Sequence, residues 1–266
     1  MSADMQGPAF ISLDQVGKTY RTRTGSVHAV AQASFNVRQG EFVSLLGPSG
    51  CGKSTLLMMV AGLEQPSAGQ LAFQGQPIKG PRSDNGIIFQ DATLLPWKSV
   101  LENVLFPIDI LKRPRADYES RAMELIARVG LRGFERKKPH ELSGGMRQRV
   151  AICRALIHDP QVLLMDEPFS ALDAITRDQM NIVLADMLEN YNKTVLFVTH
   201  SIREAVYLSD RVLVMSGRPS TITLDLAIDF PRPRKPDIED APRFREMVRL
   251  LRESIEQAHG ATASSH

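Results

Sequence analysis

The most constraining feature of this chain is one run of eight residues, Gly47-Pro48-Ser49-Gly50-Cys51-Gly52-Lys53-Ser54. An apolar run, 42–46, leads into it, and a helical pattern over 53–61 follows. Glycines at such a strand-to-helix turn let backbone N–H groups curl around phosphate oxygens with no Cβ in the way, and the helix N-terminus adds partial positive charge. In this context the run is a Walker A motif. Lys53 is placed for β- and γ-phosphates and Ser54 for Mg²⁺, and Thr55 completes the nucleotide-binding set. Four fixed residues match by chance in roughly one per cent of chains this long. Cys51 is expected to contribute its backbone N–H, its thiol being incidental.

The rest of the chain reads as the α/β scaffold that such a loop needs. Short, mostly β-branched apolar runs occur at 10–16, 42–46, 86–89, 162–165, 195–198 and 211–215. Helical patterns lie between them at 53–61, 116–129, 144–157, 174–189 and 202–208, an alternation that predicts a mainly parallel sheet buried on both faces. Segments 30–37 and the one after Gly69 read as antiparallel strands near the front. From 91 to about 139 the pattern is helical without strands, so a helical subdomain is expected at about 91–158 within a core domain spanning 10–230. Residues 231–236, Pro-Arg-Pro-Arg-Lys-Pro, cannot be helix interior or central strand and read as a linker. Phe244, Val248, Leu251 and Ile255 then recur at helical spacing, predicting an amphipathic helix over 241–258, with packing and regulation both open as its role. Residues 261–266 read as a frayed tail.

Composition excludes several classes. A formal net charge of +2 at pH 7 gives no overall field for nucleic acid, and two cysteines are too few for a disulfide scaffold. The first ten residues lack the charge and apolar core of a leader, and no stretch approaches the length of a membrane span.

A second apolar strand closes on two carboxylates, Asp166 and Glu167. Such an ending suits a strand edge where a cation and a water are met, with Asp166 on Mg²⁺ and Glu167 polarising the attacking water; the alternative is a strand ending in solvated acids. Ser143 is a plausible N-cap, followed by Gly144 and Gly145, which leave the first N–H groups of a helix uncovered. This is either an ordinary capped helix or a second anion-binding surface. One nucleotide needs one phosphate loop, so the latter implies a site assembled from two copies of the chain.

The run Leu142-Ser143-Gly144-Gly145-Met146 with Arg147-Gln148-Arg149 resembles the signature motif of ABC ATPases, and the resemblance spans nearly the whole chain. Tyr20 stands where that family has an adenine-stacking aromatic, Gln90 resembles its Q-loop glutamine, Asp173 its D-loop aspartate and His200 its switch histidine. Singly these could be a rim aromatic, a surface amide, a helix cap and a satisfied histidine. The resemblance implies an ABC-type P-loop NTPase core with an antiparallel β part and a helical subdomain. It also implies an ATP-hydrolysing homodimer that sandwiches two ATP molecules, with Ser143, Gly144 and Gly145 acting in trans. His200 would bind the γ-phosphate, Gln90 would sense Mg²⁺ and water, and Asp173 would work across the dimer. Met146 and Cys51 differ from many relatives, at positions that need no side-chain function.

Beyond Gln90, the segment Asp91 to Val104 is an apolar loop carrying Trp97, the chain's only tryptophan. Trp97 could anchor the helical subdomain or meet a partner. The Leu-Leu-Pro-Trp run, with 215–219 and 231–234, is similar to ABC importers for nitrate, sulfonates and taurine. That likeness implies transmembrane permease subunits docking through Gln90 to Asn103, a solute-binding protein, a peripheral position on the cytoplasmic face of the inner membrane, and no nucleic acid. An exporter subunit would lack this loop and tail. A soluble ABC ATPase acting on DNA or ribosomes would carry a coiled coil, zinc insertion or tandem cassettes, and a non-hydrolysing sensor would lack Glu167 and His200.

Overall fold

A computed structural model describes residues 9–23, 25–189 and 193–263, with side chains described over 9–23, 25–188 and 193–258. Residues 1–8, most of the start expected to lack a leader, and 264–266, the end of the expected tail, lie outside the described residues. In chain order the elements are β1 (Ile11–Thr22), β2 (Gly25–Val37), β3 (Phe42–Leu46), α1 (Lys53–Val60), β4 (Ala68–Phe73), β5 (Gln76–Pro77), β6 (Asn85–Ile88), α2 (Val100–Ile110) and α3 (Ala116–Arg128). They continue with α4 (Gly144–Leu156), β7 (Val162–Asp166), α5 (Ala174–Glu189), β8 (Thr194–Val198), α6 (Ile202–Leu208), β9 (Arg211–Met215), β10 (Ser220–Ala227) and α7 (Pro242–Ala263).

The chain divides into two compact units, the first built from Met1–Arg82, Thr194–Pro231 and Asp237–His266. Its central strand β3 is paired in parallel with β8 on one side and β9 on the other. Every residue of β3 and β8 is buried, as expected of strands covered on both faces. The antiparallel part is built on β1, which pairs with both β2 and β4. The β1–β2 hairpin runs past the apolar runs that mark it in sequence, because its outer half, Thr19 to Thr22 against Gly25 to His28, is held by backbone pairing with little burial. Strand β10 has no counterpart in the sequence reading. It joins β2 and β9, and its side chains beyond Ser220 are only half-buried or exposed, so it carries no strong apolar signal. In α7, Phe244, Met247, Leu251 and Ala258 are buried while Val248 and Ile255 are half-buried. Phe244 and Leu251 of the expected stripe are buried and Met247 takes the place of Val248, and burial of Phe244, Met247 and Leu251 contributes about 1.5–3 kcal/mol each.

The second unit comprises Ser83–Lys193 and Arg232–Pro236. Here β6 and β7 pair in parallel, and α2 and α3 pack with α4. Helix α2 starts at a capping box in which Ser99 Oγ accepts from the Glu102 N–H at 3.2 Å and the Glu102 carboxylate accepts from the Ser99 N–H at 2.7 Å. Leu105, Ile108, Leu125, Ile126, Val150 and Ile152 are all buried. No helix among the described residues is long and apolar enough to cross a membrane.

Candidate functional site

The phosphate loop leaves β3 and enters α1 under close constraint from its own unit. A Cβ built on Gly47 would meet the Met215 carbonyl oxygen at 2.7 Å, and one on Gly52 would meet the Ala29 carbonyl oxygen at 2.9 Å. Both glycines are therefore required by backbone approach, Gly47 to the end of β9 and Gly52 to Ala29 within β2. Lys53 is 4% exposed, and its ammonium donates to the carbonyls of Gly47 and Pro48 at 2.9 and 2.8 Å. A buried cation held against the loop's own carbonyls is what an incoming phosphate would find. Ser54 and Ser49 are exposed and Thr55 is half-buried. Burial pushes the Cys51 thiol up, against the pull of nearby Lys53, so it stays protonated near neutral pH; its N–H donates to the Pro48 carbonyl at 3.3 Å.

His200 reaches the same edge of the first unit. Leu45 pairs with Val198 across β3 and β8, so Gly47 and His200 each stand two residues past one register pair at the C-terminal ends of adjacent parallel strands. This is where α/β sheets present their ligand-binding residues. His200 is exposed, on a turn fixed by its neighbours. The Thr199 hydroxyl donates to the buried Glu204 carboxylate at 2.5 Å and accepts from the Ser201 N–H at 3.0 Å, while Ser201 caps α6. Tyr20 is half-buried on β1, its ring 4.9 Å from the Lys18 ammonium. Lys18 pairs with Val30, a side chain against which Gly52 packs, so Tyr20 lies two residues along the hairpin from the loop's floor.

The second unit repeats this edge logic. Ile88 pairs with Met165 across β6 and β7, which puts Gln90 and Glu167 each two residues beyond. Asp166 and Glu167 are half-buried and Gln90 is exposed. Glu167 has φ of 44°, a left-handed conformation that costs a β-carbon residue of order 1–3 kcal/mol and tends to persist at functional sites. Its carbonyl accepts from both the N–H and the hydroxyl of Ser170, at 3.2 and 3.0 Å. Ser143 caps α4 by accepting from the Met146 N–H at 3.3 Å; Ser143 and Gly144 are exposed, and nothing lies within 4 Å of a Cβ built on Gly144. Asp173 caps α5, accepting from the Thr176 N–H at 3.0 Å and its hydroxyl at 2.7 Å, and these bonds hold its carboxyl below the usual range.

Trp97 is 69% exposed, which removes the core-anchor alternative. The loop that presents it is organised by Asn103, fully buried, whose amide donates to the carbonyls of Leu95, Lys98 and Ser99 and accepts from the Leu95 N–H at 2.8 Å. A groove of about 480 Å³ beside it is lined by Gln90, Leu94, Pro96, His140, Gly144 and Arg147.

Gln148, named only as part of the signature run, and Arg154, not singled out in the sequence, tie α4 to the loop after β6. Buried Gln148 donates to the Phe89 carbonyl at 3.1 Å, and Arg154 donates to the carbonyls of Ala92 and Thr93 at 2.8 and 2.9 Å. Their spacing from Ser143 on one helix is the only hint the sequence holds, since their partners lie some sixty residues away. Arg154→Ala is expected to raise amide exchange at 91–94 by about tenfold or more while α5 stays protected, as measured by hydrogen–deuterium exchange.

The chain matches a family model described as ABC transporter over residues 30–170, just over half its length. A taurine import ATP-binding protein, TauB, of Burkholderia pseudomallei is 42% identical, covering 93% of this chain and 97% of that protein. An aliphatic sulfonates import ATP-binding protein, SsuB, of Bacillus cereus is 42% identical over 90% and 94%. A nitrate import ATP-binding protein, NrtD, of Synechococcus elongatus is also 42% identical, over 90% and 88%. A dimeric post-hydrolysis structure of the ATP-binding cassette MJ0796, bound to ADP and Pi, superposes with a TM-score of 0.73 at 32% identity, covering 83% of this chain and all of that one. The mainly parallel core with its antiparallel part is thus the fold of a P-loop NTPase, and the chain belongs to the ABC transporter family, whose ATP-binding subunits are ATPases coupled to transport.

Proposed function

We propose that this chain energises uptake of a small anion or organic solute, of the class of nitrate, taurine and alkanesulfonates, from the cytoplasmic face of the cell membrane. It works as a homodimer beneath two permease subunits that receive solute from a binding protein. The observation that carries the coupling role is Trp97, an exposed tryptophan on a loop fixed by a buried asparagine, next to a groove lined by Gln90. Exposed, preorganised aromatic surface favours a protein partner. The names of the relatives supply the direction of transport and the solute class.

In this reading Lys53 and the N–H groups of the loop hold the phosphates of ATP, Tyr20 stacks on adenine, and Ser143, Gly144 and Gly145 meet the nucleotide bound by the second copy. Among the described residues no three His, Cys, Asp or Glu side chains gather as a metal cage. Mg²⁺ needs none, because it binds through few protein groups together with substrate phosphates; Ser54, Asp166 and Gln90 would hold it, and when bound it neutralises phosphate oxygens. Glu167 orients and polarises the attacking water, and His200 binds the γ-phosphate. Asp173 acts across the dimer. ATP stabilises the closed dimer through contacts that end when the γ-phosphate departs, so hydrolysis reopens it.

Co-purification of the tagged chain from native membranes tests the reading. A multi-span permease together with a solute-binding protein is the expected result; soluble nucleic-acid or ribosomal partners alone would overturn it. Trp97→Ala is expected to leave basal hydrolysis within about twofold while weakening permease retention at least about tenfold, the scale of an aromatic anchor. Undiminished retention would remove Trp97 from the interface.

A further inference from the structure

The loop joining β9 to β10 carries a cation to the edge of the phosphate loop. Arg218 Nε donates to the carbonyl of Gly50, and a Cβ built on Gly50 would lie 3.3 Å from a terminal nitrogen of the same guanidinium. The other end of that peptide is held too, because the Cys51 N–H is the one given to the Pro48 carbonyl. The Gly50–Cys51 peptide is therefore fixed at its oxygen by a residue 168 positions away and at its N–H by the loop itself.

The arm that presents Arg218 is itself restrained. The Ser216 N–H donates to the Thr221 carbonyl at 2.9 Å, and the Thr221 N–H donates to Ser216 Oγ at 2.9 Å, closing the loop at its base. The buried Ser220 hydroxyl donates at 3.2 Å to the Ala29 carbonyl, the oxygen against which Gly52 packs. Gly47 packs on the Met215 carbonyl, at the end of β9. The arm and the phosphate loop thus rest on the same two strands, at the end of β9 and at Ala29 within β2.

A phosphate loop binds through N–H groups already aimed at the anion, and ordering them at the moment of binding would subtract from affinity. A carbonyl left to rotate at the tip would also present its negative end to the phosphates, whereas an oxygen engaged by a guanidinium cannot. We propose that Arg218 is a positioning residue of the phosphate loop, which holds the Gly50 carbonyl and adds positive charge at the rim, so that nucleotide affinity depends on a residue outside every nucleotide-binding motif of the chain. The inference rests on the reading of 47–54 as the ATP site.

The test measures displacement of a fluorescent ADP analogue from the purified full-length chain, together with steady-state hydrolysis. Arg218→Ala is expected to weaken ADP binding about tenfold and raise KM for ATP alike, with kcat within about twofold. Arg218→Lys, which keeps charge and a donor, is expected to recover to within about threefold, and Arg218→Gln, a donor without charge, to fall between. Wild-type affinity and KM in Arg218→Ala would overturn the proposal, as would a loss confined to kcat. Should Arg218→Ala fail to fold, Arg218→Gln decides: weakened ADP binding supports the proposal and wild-type binding overturns it. ADP binding by the wild type that Lys53→Ala abolishes keeps the loop as the site, so an unaffected Arg218→Ala then refutes Arg218 alone. A wild-type chain that binds no ADP refutes the loop reading first.

Discussion

A Glu167→Gln chain is expected to bind ATP as the wild type does, to hydrolyse it about 10²–10⁴ times more slowly, and to accumulate as a dimer when ATP is present. The amide has the size of the carboxylate, and the backbone clamp on this residue, whose carbonyl accepts twice from Ser170, is untouched by the change. The φ of 44° and the strand end should therefore survive, and the change isolates the loss of a base and a negative charge. Glutamine cannot draw a proton from water, so chemistry is expected to stall after binding while the contacts proposed to close a dimer remain. Phosphate release at saturating ATP gives the rate, and light scattering with and without ATP gives the assembly. Turnover at the wild-type rate would sink the assignment of Glu167. Slow turnover without a dimer would keep the catalytic role and remove the sandwich.

The parts of this molecule legible in its sequence are those whose chemistry is local. The phosphate loop shows itself because glycines, a lysine and a serine must fall at fixed offsets between a strand and a helix, and the structure adds the reason for two of those glycines in the carbonyls of Met215 and Ala29. The fully buried strands β3 and β8 show themselves through continuous apolar runs. Strand β10 does not, since it is held in the sheet by backbone pairing on both edges while its side chains stay half in water. Trp97 is ambiguous in sequence because a tryptophan serves a core and an interface equally well; only its exposure decides. The contacts of Arg154 with Thr93 and of Arg218 with Gly50 join residues 61 and 168 apart, a separation at which no periodicity or spacing carries information. The expected D-loop aspartate illustrates a different limit. Asp173 does cap α5, as its alternative reading holds, and a cap with a lowered carboxyl pKa is compatible with a role toward a second copy.

Lys53→Ala should remove nucleotide binding more completely than any other single change, by roughly a hundredfold or more. Lys53 is 4% exposed and its ammonium is already aimed at the loop, where two carbonyls hold it at 2.8 and 2.9 Å. A triphosphate exchanges those neutral acceptors for charged ones, adding ion-pair attraction that the carbonyls cannot supply. Alanine deletes the cation and also leaves the carbonyls of Gly47 and Pro48 without this donor, so the empty loop loses order as well as charge. Lys53→Arg keeps the charge but not the fit, since a planar guanidinium is bulkier than an ammonium in a space closed by Gly47, Pro48 and Cys51. Titration calorimetry with ADP should therefore show no binding for Lys53→Ala and weakened binding for Lys53→Arg, with the thermal midpoint of either chain little changed by added nucleotide. Hydrolysis in Lys53→Ala at the wild-type rate would mean that the phosphates are held elsewhere, and the assignment of Gly47 to Ser54 as the nucleotide site would fall with it.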